Sequence, residues 1–139
     1  MQNMSSIDKM KLIYKHTGIE SNHYRSRYEG ALVPIKSFND LYRHKQEPGI
    51  LQHDPYYTAE QLWGMLPHTL EVEGKTYFLQ LKGLELSYIE DQFYRSALDN
   101  YLYLKFFSPK YSIQEILLDM VIWCIDKGYI KGVKEEDNG

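Results

Sequence analysis

The stretch ILLDMVIWCIDKGYIKG, residues 116–132, constrains the fold more than any other part of this chain. Ser112 can cap a helix ahead of it, Pro109 stands safely outside, and Gly128 lies where a left-handed stop is wanted, so the signals predict a helix over Ile113–Lys127. At about 100° per residue, Glu115, Asp119 and Asp126 form one polar strip, while Leu117, Met120, Val121 and Cys124 point away from it. The strip is expected to face water and the opposite side to close a core. Ile122 falls inside the acidic strip and Trp123 at its edge, so two apolar residues are left without an explanation. Either the amino-terminal lobe or the tail YIKGV covers them, or they form a protein-interaction site for a partner or a second copy. In the second case the chain is a homodimer that Trp123→Glu would divide into folded monomers.

The core needs a second layer, and TLEVEGKTYFLQLKGLELSYIE supplies the pattern. Apolar residues recur with period two: Leu70 and Val72 before a Glu73-Gly74 turn, Tyr77, Leu79 and Leu81 after it, then Leu84, Leu86 and Tyr88 beyond Gly83. NYLYLKFF continues the alternation as a fourth strand, although Ala97, Tyr101, Leu102 and Lys105 also fit helical spacing, so residues 97–107 read either way. In YTAEQLWGMLP, Thr58 and Gln61 fit a reciprocal capping box, Tyr57 and Leu62 a hydrophobic staple, and Pro67 ends a short helix over about Ala59–Met65.

The first half is less regular. SSIDKMKLIYKHTG predicts a helix capped by Ser5 or Ser6, with Ile7, Met10, Ile13 and Tyr14 on one face and a stop at Gly18. IESNHYRSRYEGALVPI reads as irregular, SFNDLYRHK as a short helix starting from Ser37, and QEPGILQHDPYY as a linker or boundary. The expected architecture is a single α+β domain: an antiparallel meander of three or four strands packed on a carboxyl-terminal helix, with an amino-terminal helical lobe attached. The lobe covers residues 1–54, the α+β core 58–131, and 133–139 form a flexible tail.

The chemistry-bearing residues do not assemble into a catalytic pattern. The five histidines are scattered and lack HxxxH spacing, and the single Cys124 cannot build a Cys-rich zinc site, so no metal and no cofactor is expected. Cys124 lies toward a helix C-terminus between apolar neighbours, where a thiolate is disfavoured and a buried thiol is expected. There is no GxSxG elbow and no phosphate-cradling glycine loop, and the paired Glu71 and Glu73 suit the outer face of any hairpin. The reading is therefore not an enzyme. The amino terminus lacks a signal-peptide core and no run reaches the roughly 18 apolar residues of a spanning helix, which implies a cytoplasmic protein with no membrane partner.

Tyrosine is the compositional outlier, with 13 residues against 7 Phe and Trp together. Its apolar body and polar tip suit protein interfaces and base stacking alike. Charge divides unevenly: residues 1–54 hold 8 Lys and Arg against 6 Asp and Glu, and residues 55–139 hold 8 against 13. A nucleic-acid reading would thus rest on the Tyr-interleaved cations Arg25, Arg27, Arg43 and Lys45 of the lobe, and a protein-interaction reading on Ile122 and Trp123.

From about Glu60 to Lys131, the order QLWGMLPHTL, EGKTYFLQL and MVIWCIDKGYI resembles small uncharacterised proteins of Bacteroidetes genomes and their phage-like or mobile elements. The resemblance covers roughly half of the chain and implies a bacterial or phage accessory protein, without assigning a role to any residue. Together the observations favour a non-enzymatic protein-interaction or accessory module acting on a protein partner or on itself, with nucleic-acid association as the alternative.

Overall fold

The computed structural model describes residues 4–26, 32–34, 53–90, 100–108 and 111–132. Along these the order is α1 (Ser6–Thr17), β1 (His23–Ser26), β2 (Leu32–Pro34), β3 (His53–Tyr56), α2 (Ala59–Met65), β4 (Thr69–Val72), β5 (Lys75–Lys82), β6 (Glu85–Ile89), β7 (Tyr101–Phe106) and α3 (Ile113–Lys127). The α+β architecture is as expected. Strands β4 to β7 form a four-stranded antiparallel meander in chain order, and α3 packs on it.

The meander follows from its turns. Glu73 (φ 52°) and Gly74 (φ 80°) both take positive φ, as a type I′ hairpin requires, and pair Val72 with Lys75. At the next hairpin Gly83 has φ 59° while Leu84 does not take positive φ, the pattern of a type II′ turn between Lys82 and Glu85. Leu84 therefore belongs to the turn and not, as its spacing suggests, to the strand with Leu86 and Tyr88. Residues 101–106 are strand, which decides the helix alternative against. A register shift opposite Tyr88 and Ile89 lets consecutive Leu102 and Tyr103 both pack on the core.

Helix α3 is capped by Ser112, whose hydroxyl accepts from the Glu115 amide, and stopped at Gly128 (φ 82°). Seven of its residues are buried, Ile116, Leu117, Leu118, Met120, Val121, Ile122 and Cys124, and they take up about two thirds of its circumference. The reason is that α1 and α2 also lie against it. The polar strip does not simply face water: Asp119 meets the Lys9 ammonium of α1 at 2.5 Å, so the first helix lies along that side. Met10 and Ile13 of α1 belong to the same core cluster as Leu86, Tyr88 and Cys124.

The amino-terminal lobe corrects the sequence reading. The segment read as irregular contributes β1 and β2, and the end of the stretch read as a linker is β3; together they form a second antiparallel sheet in the order β2-β1-β3. His23 stands between Pro34 and Tyr56 and Tyr24 between Val33 and Pro55. Both prolines, which argue against strands, sit on the two outer strands, where proline is tolerated because only one side carries a ladder. The helix read from SFNDLYRHK and the tail at 133–139 lie outside the described residues.

Candidate functional site

Four regions could carry function: the Trp123 flank of α3, the junction of lobe and core, the basic residues of the lobe, and the turn end of the meander. At the flank, Ile122 is only 8% exposed and part of the core. The Trp123 ring stacks obliquely on Tyr103 of β7 at 4.8 Å between centroids, on Tyr129 at 5.4 Å and on Tyr88 of β6 at 6.0 Å. Such tilted pairs at 4.5–7 Å are favourable beyond the area they bury. Tyr129 comes from the segment after α3, held by its N–H to the Cys124 carbonyl at 2.8 Å. The segment is fastened again where His16 of α1 meets the Ile130 carbonyl at 2.7 Å. Both the tail and the lobe thus take part in covering this flank.

Cys124 lies directly behind the aromatic group. Its thiol points to the Tyr88 hydroxyl at 3.9 Å, and that hydroxyl donates to the Pro67 carbonyl at 2.8 Å. Burial pushes the thiol up to about 11, against a smaller opposing effect of the Tyr88 contact, so it is protonated and unreactive at neutral pH. Burial also raises the Tyr88 and Tyr103 phenols well above their usual range, with the Cys124 thiol adding to the first and the Asp119 carboxylate to the second. None of these groups is poised for acid–base work near neutrality.

The junction of lobe and core is a polar lattice. The Thr58 hydroxyl accepts from the Gln61 N–H, as half of the expected capping box, but the Gln61 side chain does not return to Thr58. It spans to the lobe, donating to the Glu20 carbonyl at 3.2 Å and accepting from the Asn22 N–H at 2.9 Å. The Tyr57 hydroxyl donates to the Ile19 carbonyl at 2.6 Å, and Gln114 of α3 bonds both the Tyr56 hydroxyl (3.0 Å) and the Tyr57 carbonyl (2.7 Å). Desolvation, reinforced by Glu20, pushes the Tyr57 phenol far above its ordinary value. Amides and protonated phenols bonded to backbone hold geometry and offer no reactive group.

Of the cations singled out in the lobe, Arg25 lies in β1 opposite Leu32 and Asp54, while Arg27, Arg43 and Lys45 fall outside the described residues. Among the described residues no group of three His, Cys, Asp or Glu could hold a metal ion, and no helix is long and apolar enough to cross a membrane.

The remaining region was not visible in the apolar spacing. At the β5–β6 turn, Leu84 is 68% exposed and Phe106 of β7 is 62% exposed. They lie at the same end of the sheet: the Leu84 carbonyl accepts from the Phe107 N–H at 2.7 Å, and Phe106 pairs with Glu85, on the face opposite the buried Leu86. Leu81, across from Leu86 on β5, is also exposed, as are Tyr111 and Ile113 on the way into α3. The signal that could have found this tip is KGLE, a two-residue loop with Gly in its first position, which takes Leu84 out of the strand. No protein-family model matches the chain, and comparison with curated proteins and with solved structures returns no match.

Proposed function

We propose that this chain is a non-enzymatic protein-interaction module, an accessory protein of a bacterium or one of its mobile elements, whose contact surface is the turn end of the meander at Leu84 and Phe106. The observation that carries this reading is that Leu84 and Phe106, the two most exposed large apolar side chains among the described residues, stand at the same end of the sheet. A single exposed leucine is ordinary, whereas grouped apolar side chains at one end of a rigid sheet mark contact surfaces. The tip stands on ladder-paired backbone, so it binds without first being ordered, which lowers the entropic cost of association. Ile122 and Trp123 contribute indirectly, by fixing the sheet that presents the tip.

The test is a pull-down from the native cell with the wild type and with a Leu84→Asp, Phe106→Asp variant as baits, each with and without nuclease. Proteins held by the wild type and lost by the variant support the reading. Equal retention by both baits removes the tip as the contact surface, and retention that disappears with nuclease returns the function to nucleic acid.

A further inference from the structure

The two ends of the meander differ in charge and in exposed apolar surface. At the β4–β5 turn stand Glu71, Glu73 and Glu90, and the ammonium of Lys75 lies 3.9 Å from the Glu90 carboxylate. The apolar residues of that end, Leu70, Val72 and Tyr77, are buried or half-buried. The β5–β6 turn is the reverse. Leu81, Lys82, Gly83 and Leu84 are all exposed, as are Lys105 and Phe106 on β7 beside them. Lys82, Glu85 and Phe106 form one row of the ladder and share the face opposite Leu86. Although Glu85 is the cross-strand partner of Lys82, its carboxylate turns back along the sheet, accepting from the Tyr101 hydroxyl at 3.1 Å and the Ser87 hydroxyl at 3.5 Å. Among the described residues the lysine ion pairs are those of Lys9, Lys11 and Lys75, so the Lys82 and Lys105 ammonium groups meet no carboxylate.

We propose that the partner presents an acidic apolar segment to the β5–β6 end, a large apolar side chain with carboxylates near it on the same chain. The proposal rests on the interaction-module reading and supplies the chemistry of the partner. Residues 55–139 hold 8 Lys and Arg against 13 Asp and Glu, so most of this half repels an acidic chain, and the end at Glu71, Glu73 and Glu90 repels it too. Lys82 and Lys105 draw it to the other end, where Leu84 and Phe106 stand in water. Charge thus fixes the direction of approach, and removal of the two apolar side chains from water supplies the affinity. A basic partner meets the opposite arrangement and is steered to the end without exposed apolar surface. The ladder also sets a length. Lys82 and Phe106 lie two strands apart, about 10 Å, which about three residues of extended chain span.

The test uses the full-length chain and two labelled synthetic peptides with the same Leu-Phe centre, flanked by glutamates in one and by lysines in the other. Fluorescence anisotropy at low ionic strength is expected to show the glutamate peptide bound about tenfold more tightly than the lysine peptide, with the difference shrinking as salt rises. Leu84→Ser with Phe106→Ser should abolish the binding, Lys82→Glu with Lys105→Glu should reverse the preference, and Lys82→Arg should leave it as in the wild type. All four positions are exposed, so each variant should keep the circular dichroism of the wild type. Equal binding of the two peptides, glutamate-peptide binding that survives the serine changes, or no binding of either overturns the acidic partner. So does co-sedimentation with phosphatidylserine vesicles in place of peptide binding, which would give this end to a membrane surface. If neither peptide binds and the pull-down still loses proteins on Leu84→Asp, Phe106→Asp, the interaction module stands and the acidic partner falls; if the two baits retain the same proteins, both fall.

Discussion

The Trp123 flank of α3 and the tip at Leu84 are the two apolar regions not accounted for by simple amphipathic patterning, and they end in opposite environments. The flank is the densest apolar sequence in the chain, yet Tyr103, Tyr88 and Tyr129 enclose its indole and α1 lies along the acidic side. The tip is two apolar residues, one from a hairpin turn and one from a neighbouring strand, and it stays in contact with water. Apolar density in a segment measures how much surface must be covered and says little about where the cover comes from. Exposure is decided by turns and by distant elements, which a local pattern does not contain.

The largest expected break of this comparison is Trp123→Glu. A carboxylate in place of the indole forfeits the stacking on Tyr103, Tyr88 and Tyr129 and is drawn into a partly buried aromatic site, and the variant should lose several kcal/mol of a total of about 5 to 15, read as a collapse of the urea midpoint. A folded, merely dissociated variant would show that the flank is an interface after all. Cys124→Ser should cost on the order of 1 to 3 kcal/mol, because a hydroxyl replaces a packed thiol in an apolar site. The wild-type thiol should resist alkylation until the chain unfolds. Its pH dependence has a definite sign. The folded-state value lies at about 11, above the ordinary 9, so its contribution is full below pH 9 and is lost as the pH rises toward 11. The raised tyrosine phenols act in the same direction, and the urea midpoint should fall over that interval.

Smaller effects sharpen the comparison. A Cβ at Gly132 would stand 2.9 Å from the His16 ring and 3.2 Å from its carbonyl oxygen. The ring can tilt but the backbone cannot, so Gly132→Ala should destabilise by about 1 kcal/mol and make Tyr129 less protective of Trp123, seen as increased quenching of indole fluorescence by iodide. Smallest on stability is Leu84→Asp at the tip, expected within about 0.5 kcal/mol of wild type while lowering partner retention. A large loss of stability there would mean that the tip is structural.

How much was legible in the sequence depends on how local the cause was. Caps and stops are local, and α1, α2 and α3 have the expected ends at Ser5, Gly18, Thr58, Ser112 and Gly128. The β4–β5 hairpin was equally legible, since Glu73-Gly74 is flanked by clean alternation. The small sheet of the lobe was not, because its strands are three or four residues long and two contain proline, and their pairing spans from His23 to Tyr56. The Gln61 side chain was misread for the same kind of reason: its partners, Glu20 and Asn22, are about forty residues away. At the candidate site, Leu84 was assigned to a strand by its spacing, and the glycine before it was the stronger signal.

The ion pair between Lys9 and Asp119 and the contact of His16 with the Ile130 carbonyl join positions 110 and 114 residues apart. During synthesis, the first helix leaves the ribosome while the helix it must lie against is still untranslated. The four-stranded meander is likewise complete before α3 exists to cover its apolar face. A chain truncated before residue 113 would carry that face open to other proteins, so cooperative folding waits for α3. A chain truncated at residue 112 should therefore be recovered in aggregates and not as a folded monomer.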